Sequence, residues 1–187
     1  TAGDKTTITI GKGTVEVDEA YVEGKPRKGA PKQSRIVRQK PVAVLVERGG
    51  SAYAIPMQRI TADRLRPAMQ LLIDKQAEIM TDEARVYQGW TGAHFEGGHH
   101  TTNHSKGEYL RGHVHSNTAE SYFALLKRGV IGTFHHVSHA HLSRYCAEFD
   151  FRWNTRGDTD GERTAQALSS TDGQRLVYKK LMPRNPS

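Results

Sequence analysis

Three carboxylates stand where a side chain could do chemistry rather than only face water. Asp18 lies in the alternating segment TVEVDEAYV, 14–22. Asp82 closes the apolar run AEIMTD, 77–82. Glu120 falls in the first turn of a helix predicted over NTAESYFALLKR, 117–128. Carboxylates converging from strand ends and a helix start suit a hard divalent cation, because Mg2+ and Mn2+ prefer oxygen ligands. Two such ions roughly 4 Å apart can activate an attacking oxygen and stabilise a leaving one at a phosphodiester. A single aspartate is more often a solvated surface acid. Asp82 is set apart by the residues before it, Ile79, Met80 and Thr81, a run expected to be buried.

Glu120 and Lys127 are seven residues apart, which returns to the same helix face within about 20°. Asn117 lies near that stripe, and Ala124 between them is small enough to leave room. A carboxylate with a lysine about 10 Å further along one face suits a phosphate backbone lying over the helix. The same spacing occurs on any solvated amphipathic helix, so it is weak on its own.

These residues need a frame. In the first segment Val15 and Val17 alternate with Glu16 and Asp18, as in a strand. PVAVLVE, 41–47, reads as a second strand, and Gly49-Gly50 turns it into SAYAIPMQ, 51–58, as a hairpin. Thr61 can cap a helix over 62–76 with Leu65, Met69, Leu72 and Gln76 on one stripe. Pro67 inside it either kinks that helix or starts another. The run 77–82 is a short buried strand, a helical turn follows over 83–89, and a fifth strand falls within 93–104. Residues 105–116 read as loop. After the 117–128 helix, Ser138 can cap another with Leu142, Tyr145, Phe149 and Trp153 at core spacing, and a short helix lies near 162–169. This order fits an α/β protein whose mixed sheet is flanked by helices. It is also the order of the ribonuclease H-like fold, which periodicity alone does not separate from other α/β folds.

The chain has 187 residues, 36% apolar and 25% charged, with a mean hydropathy of -0.67. No apolar run approaches the roughly 18 residues of a spanning helix, and TAGDKTTITI lacks the pattern of a signal peptide. The expectation is a soluble cytoplasmic protein. One cysteine, Cys146, excludes an intrachain disulfide and a multi-cysteine zinc ribbon. Its place on an apolar helix stripe predicts a buried structural thiol.

The net charge of +7 points to an anionic partner. Residues 23–40, EGKPRKGAPKQSRIVRQK, carry seven basic residues against Glu23 alone, which is +6 of that +7. Gly24, Pro26, Gly29 and Pro31 make this segment a long loop. Its cation spacing matches the charge density of DNA, so Lys25, Arg27, Lys28, Lys32 and Arg35 are expected on phosphates. A solubilising tract is the alternative. His99, His100, His104, His113 and His115 fall within seventeen residues. They lack the cysteine partners or helical spacing of a zinc module, so surface or DNA-contacting roles are expected. His115, just before the 117–128 helix, is the one placed to meet a phosphate or to support a metal ligand, and Arg128 is a further DNA contact.

Five motifs carry a resemblance. VEVDEAYV, TDEARVY (81–87), NHSKGEYLRG (103–112), VHSNTAESYFALLKRGVIGTFHHVS (114–138) and EFDFRWN (148–154) resemble, in order, the catalytic domain of DDE-type insertion-sequence transposases of the ISXO2-like group. The resemblance spans roughly residues 14–155. It implies a ribonuclease H-like fold, a mixed five-stranded sheet flanked by helices, over 1–155, with the basic insertion at 23–40 and a C-terminal extension at 156–187. It implies cleavage and transfer of DNA strands at insertion-sequence ends with two Mg2+ or Mn2+ ions. The implied partner is double-stranded DNA, both element ends and target, bound by a homodimer or larger assembly in the bacterial cytoplasm and nucleoid. By motif, Asp18 and Asp82 match the first two catalytic aspartates. The third position in the group is Glu or Asn followed by Lys, and this chain offers Asn117 and Glu120, then Lys127. Glu120 is favoured because three carboxylates neutralise two divalent ions better than two; Asn117 is then a neutral ligand or an orienting group. A structure-directed nuclease on the same fold and an inactive DNA-binding remnant are the other readings. Members of the group begin with a zinc ribbon and a DNA-binding segment. The single cysteine cannot build that ribbon, which leaves a fragment or a degenerate element.

Overall fold

The computed structural model describes residues 10–22, 40–82, 84–102, 115–134, 137 and 141–171. Five strands, β1 (Thr14–Val22), β2 (Lys40–Glu47), β3 (Ala52–Pro56), β4 (Glu78–Asp82) and β5 (His99–Thr102), form one sheet in the order β3-β2-β1-β4-β5. β1 runs antiparallel to β2, and β2 to β3. β1 runs parallel to β4, and β4 to β5. A three-strand meander extended by two parallel strands is the ribonuclease H-like arrangement that the element order suggests. The helices are α1 (Ala62–Leu72), α2 (Trp90–His94), α3 (Asn117–Gly129), α4 (Leu142–Asn154) and α5 (Asp160–Thr171), and a π turn, Val130–Phe134, follows α3 directly.

The sheet is covered on both faces, so β2 is buried from Lys40 to Val46 and reads as an unbroken apolar run. On one face, Ala20, Val42, Val44 and Val46 pack with Tyr122, Leu126, Leu142 and Phe149 of α3 and α4. On the other, Val15, Val17, Leu45 and Ile79 pack with Leu65, Met69 and Leu72 of α1. Gly129 ends α3 where a Cβ would overlap the buried Phe149 ring, so a larger residue would force that ring to shift. The hairpin between β2 and β3 turns at Gly49, whose φ of 72° belongs to the left-handed region.

α4 covers the outer edge of β3 with two side chains one helical turn apart. Asp150 accepts the Ala54 N–H at 3.1 Å and the Tyr122 hydroxyl at 2.6 Å. The Asn154 amide accepts from Ala52 N at 2.7 Å and donates to Ala52 O at 3.1 Å. Both residues belong to the EFDFRWN motif. Burial pushes the Asp150 carboxyl up to about 7, against the opposing pull of the Tyr122 and Ala54 bonds. An unfolded aspartate loses its proton near about 4. Between those two pH values the folded chain holds the extra proton, so this group makes stability fall as pH rises from about 4 to about 7 and level off above. Urea midpoints measured across that range should show the decline. Asp150→Asn should remove its share of the slope, and an unchanged slope would overturn the assignment.

Several local expectations change. α1 ends at Leu72 rather than 76, because Ile73 turns extended and bridges in parallel to Ile10; Gln76 lies beyond the helix and is exposed. α1 runs through Pro67 as a single helix, and Thr61 makes no side-chain cap bond to it. Lys40, expected in the basic loop, opens β2 as a buried residue whose ammonium donates to the Val137 carbonyl. The remainder of 23–40, including Lys25, Arg27, Lys28, Lys32 and Arg35, lies outside the described residues, as do Ser138, His104 and His113.

The chain divides into two compact units, Thr1–Asn154 and Thr155–Ser187. In the second, α5 starts with a reciprocal cap. Glu162 accepts the Thr159 N–H at 2.8 Å, and its own N–H donates to the Thr159 hydroxyl at 3.4 Å.

Candidate active site

The parallel ladder of β1 and β4 pairs Val15 with Ile79 and Glu16 with Met80. Two residues further along both strands are Asp18 and Asp82. That register brings them level on neighbouring strands and on the same face of the sheet, by the two-residue repeat of a strand. Each carboxylate also holds local backbone. Asp18 Oδ1 accepts the Glu19 N–H at 2.8 Å, and Asp82 Oδ1 accepts the Ala84 N–H at 2.9 Å.

α3 supplies the other groups. Asp18, Glu19, Glu120, Ala124 and Lys127 line one cavity of about 270 Å³. The seven-residue spacing therefore does place Glu120 and Lys127 on one face, opposite Asp18. Lys127 Nζ lies 5.8 Å over the Phe123 ring. Asn117 is exposed at the start of α3 and does not line this cavity; its carbonyl accepts the Ser121 hydroxyl at 2.8 Å. Asp82 does not line it either, but its charge reaches Glu19 from the neighbouring strand. Arg128 is exposed in the last turn of α3.

Two acids that flank Asp18 in sequence do separate jobs. The Glu19 carboxyl accepts the hydroxyl of the buried Tyr87, which belongs to the TDEARVY motif. Burial pushes Glu19 up to about 7; the Tyr87 bond opposes this, and the charges of Asp82 and Asp18 add to it. Burial and the Glu19 charge likewise hold the Tyr87 hydroxyl well above its ordinary range. The site thus concentrates negative charge.

Glu16 is buried completely, although it lies on the polar face of an alternating strand. Its carboxylate accepts the N–H groups of Thr118 and Ala119 at 2.8 and 2.9 Å and the Thr118 hydroxyl at 3.0 Å. Arg48, from the β2–β3 hairpin, binds it through Nε at 2.6 Å, and His115 Nδ1 stands 3.3 Å away. Arg48 also donates to the His115 carbonyl at 2.7 Å. The amides at the positive end of α3 are thereby tied to β1. The strand that carries Asp18 fixes the axial position of the helix that carries Glu120 and Lys127.

His115 is accordingly drawn into the Glu16–Arg48 cluster. His99 meets the Thr81 hydroxyl at 2.8 Å and is lowered from its usual value by burial, then by His100. His100 lies 3.2 Å from Glu78. Cys146 is buried as expected, and burial, then the charge of Asp150, pushes its thiol up to about 12.

The donors fit a hard cation in kind: Asp18, Asp82 and Glu120 all offer carboxylate oxygens. Among the described residues, no three His, Cys, Asp or Glu side chains are already gathered tightly enough to hold a metal ion. Sequence reasoning missed Glu16, Arg48, Glu19 and Tyr87. A signal existed for Glu16. Apolar runs form the strands on both sides of β1, so β1 is central and its polar face has a helix to meet.

Residues 11–154 match the family described as the ISXO2-like transposase domain. A protein described as an uncharacterized protein in transposable element ISH50, from Halobacterium salinarum, is 33% identical over 159 residues, covering 75% of this chain and 52% of that protein. The chain thus spans about half the length of this relative. Among solved structures, the cryo-electron microscopy structure of the simian T-cell lymphotropic virus intasome in complex with PP2A regulatory subunit B56 gamma aligns with a TM-score of 0.39 and 15% identity, covering 94% of this chain and 56% of that one. No helix among the described residues is long and apolar enough to cross a membrane.

Proposed function

Because the chain belongs to the ISXO2-like transposase family, we propose that it is the catalytic core of a transposase that cleaves and transfers DNA strands at the ends of an insertion sequence. The observation that supports this reading is Asp18, level with Asp82 by the register of adjacent parallel strands and lining one cavity with Glu120 and Lys127 of α3. Asp18, Asp82 and Glu120 would hold Mg2+ or Mn2+. The chemistry that a bound pair of these ions supplies is polarisation of the phosphodiester and activation of the attacking oxygen. The protein's own part is positional. β1 and β4 set the two aspartates side by side, and Glu16 holds α3 at the height that keeps Glu120 beside Asp18. Lys127, one turn beyond Ala124, meets a phosphate of the strand lying over the helix. It contributes position and charge rather than sequence reading. Double-stranded DNA, as element ends and target, is the partner. Two ends brought together call for a homodimer or larger assembly.

The test follows nicking and 3′-end joining on duplex DNA carrying the element's ends, with Mg2+, Mn2+ or EDTA. Metal-dependent nicking and joining supports the reading. Nicking without joining would identify a nuclease instead, and binding unaffected by metal with neither reaction would identify a DNA-binding remnant. Lys127→Ala should weaken DNA binding by about tenfold, the worth of one charge-assisted contact. It should lower the salt slope by about 1. Titration of Mn2+ alone should be unchanged in that variant, and a loss of metal binding would move Lys127 out of the DNA-contacting role.

A further inference from the structure

A second cavity, about 500 Å³, opens over the first turn of α4, lined by Phe134, His141, Arg144, Tyr145 and Glu148. Its volume is in the range of small-ligand sites, and nothing in the reaction described above uses it. Phe134 ends the π turn and is 37% exposed, an unusual place for a large aromatic side chain. Its ring stands 4.6 Å from that of Tyr145 at 68°, an edge-to-face pair with an open face. His141 and Arg144 are exposed beside it. Among the described lining residues the one acid, Glu148, is bound to Arg152 at 2.8 Å, so the charge these residues leave to the cavity is cationic. The 13-residue helix α4 adds the positive end of its dipole from the same side.

An aromatic platform beside a guanidinium and a helix N-terminus matches the two halves of a nucleotide, a flat base and a phosphate. Base faces inside a duplex are already stacked, so only a base outside the stack can use the platform. The cavity is also continuous with the candidate active site along the chain. Phe134 follows Lys127 by seven residues, through the end of α3 and the π turn, roughly 10 Å at helical rise. We propose that this cavity takes one unstacked nucleotide of the DNA strand that runs along α3, with its base on the Phe134–Tyr145 pair and its phosphate at Arg144 and His141. The proposal rests on the reading that this chain handles DNA.

The experiment measures binding in EDTA, where catalysis plays no part. A single-stranded oligonucleotide carrying 2-aminopurine and the matching unmodified duplex are titrated with wild type, Phe134→Ala, Phe134→Trp and Arg144→Gln. Loss of one base–aromatic stack should weaken single-strand binding of Phe134→Ala by at least about fivefold, with the duplex changed by less than about twofold. Phe134→Trp should bind as wild type, and its added fluorescence should be quenched by the strand. Arg144→Gln should lower the single-strand salt slope by about 0.7. Single-strand binding by Phe134→Ala equal to wild type, or no quenching in Phe134→Trp, would overturn the proposal. Displacement of the strand by micromolar deoxynucleoside monophosphate would also overturn it, and would name a free nucleotide as the occupant. Failure of the wild type to bind any DNA would instead be a failure of the functional reading.

Discussion

Asp82→Asn should leave the fold intact and abolish strand cleavage. Asp82 ends β4, and its Oδ1 accepts the Ala84 N–H at 2.9 Å. An asparagine oxygen can accept that same bond, so the turn survives. What is lost is one negative charge from the proposed metal site. Charge stabilisation by a catalytic ion amounts to several kcal/mol. A loss of about 4 kcal/mol lowers the rate by roughly a thousandfold, and this is the minimum expected drop in nicking. Urea stability should change by less than about 0.5 kcal/mol, the usual range for a surface substitution. A second readout needs no DNA. Asp82 is one of the charges that raise Glu19, so the variant should titrate Glu19 at lower pH than wild type. Wild-type nicking by Asp82→Asn would remove Asp82 from the site.

Glu16→Ala should be the most destabilising single change near the site. It leaves Arg48, which is 21% exposed at its side chain, without its carboxylate, and leaves the buried Ala119 amide and the part-buried Thr118 amide at the start of α3 without this acceptor. Removing one partner of a buried ion pair costs about 3–5 kcal/mol, a large part of the stability of an ordinary domain. For a chain of this length that is a fall in Tm of roughly 6–20 °C. Glu16→Gln keeps the shape and one acceptor oxygen, so it should fold. Its signature should be kinetic: with α3 less firmly held, kcat for strand cleavage should fall while duplex affinity stays near wild type. A Tm unchanged in Glu16→Ala, or a Glu16→Gln variant that loses affinity but keeps kcat, would show that the carboxylate does not hold α3.

Much of this architecture is legible in one dimension because it depends on local periods. The alternation of 14–22, the apolar runs at 41–47 and 77–82 and the helix stripe from Asn117 all reappear as β1, β2, β4 and α3. The Glu120 and Lys127 pairing is legible for the same reason, since both sit on one helix. What was not legible depends on partners distant in sequence. α1 stops early because Ile73 finds Ile10, more than sixty residues away. Lys40 looks like the last cation of a basic loop until Val137 supplies its acceptor. The roles of Glu16 and Asp150 are not legible because nothing beside them in the chain hints at the Thr118 and Ala119 amides or at the edge of β3. Buried charges are hidden from periodicity: their hydrogen-bond donors come from elsewhere in the fold.

The contacts of Asp150 and Asn154 with β3 also bear on how copies of this protein can meet. An edge strand normally offers a row of open amides that a strand from another chain can join. Here the outward amides of Ala52 and Ala54 are already occupied by α4. Sheet growth is closed on that flank, and with it the simplest route to both strand-swapped dimers and fibrils. Any pairing of two copies across two DNA ends must use side-chain surfaces or the DNA itself on this side of the molecule. Asn154→Ala, by reopening Ala52, would be the change to watch for self-association.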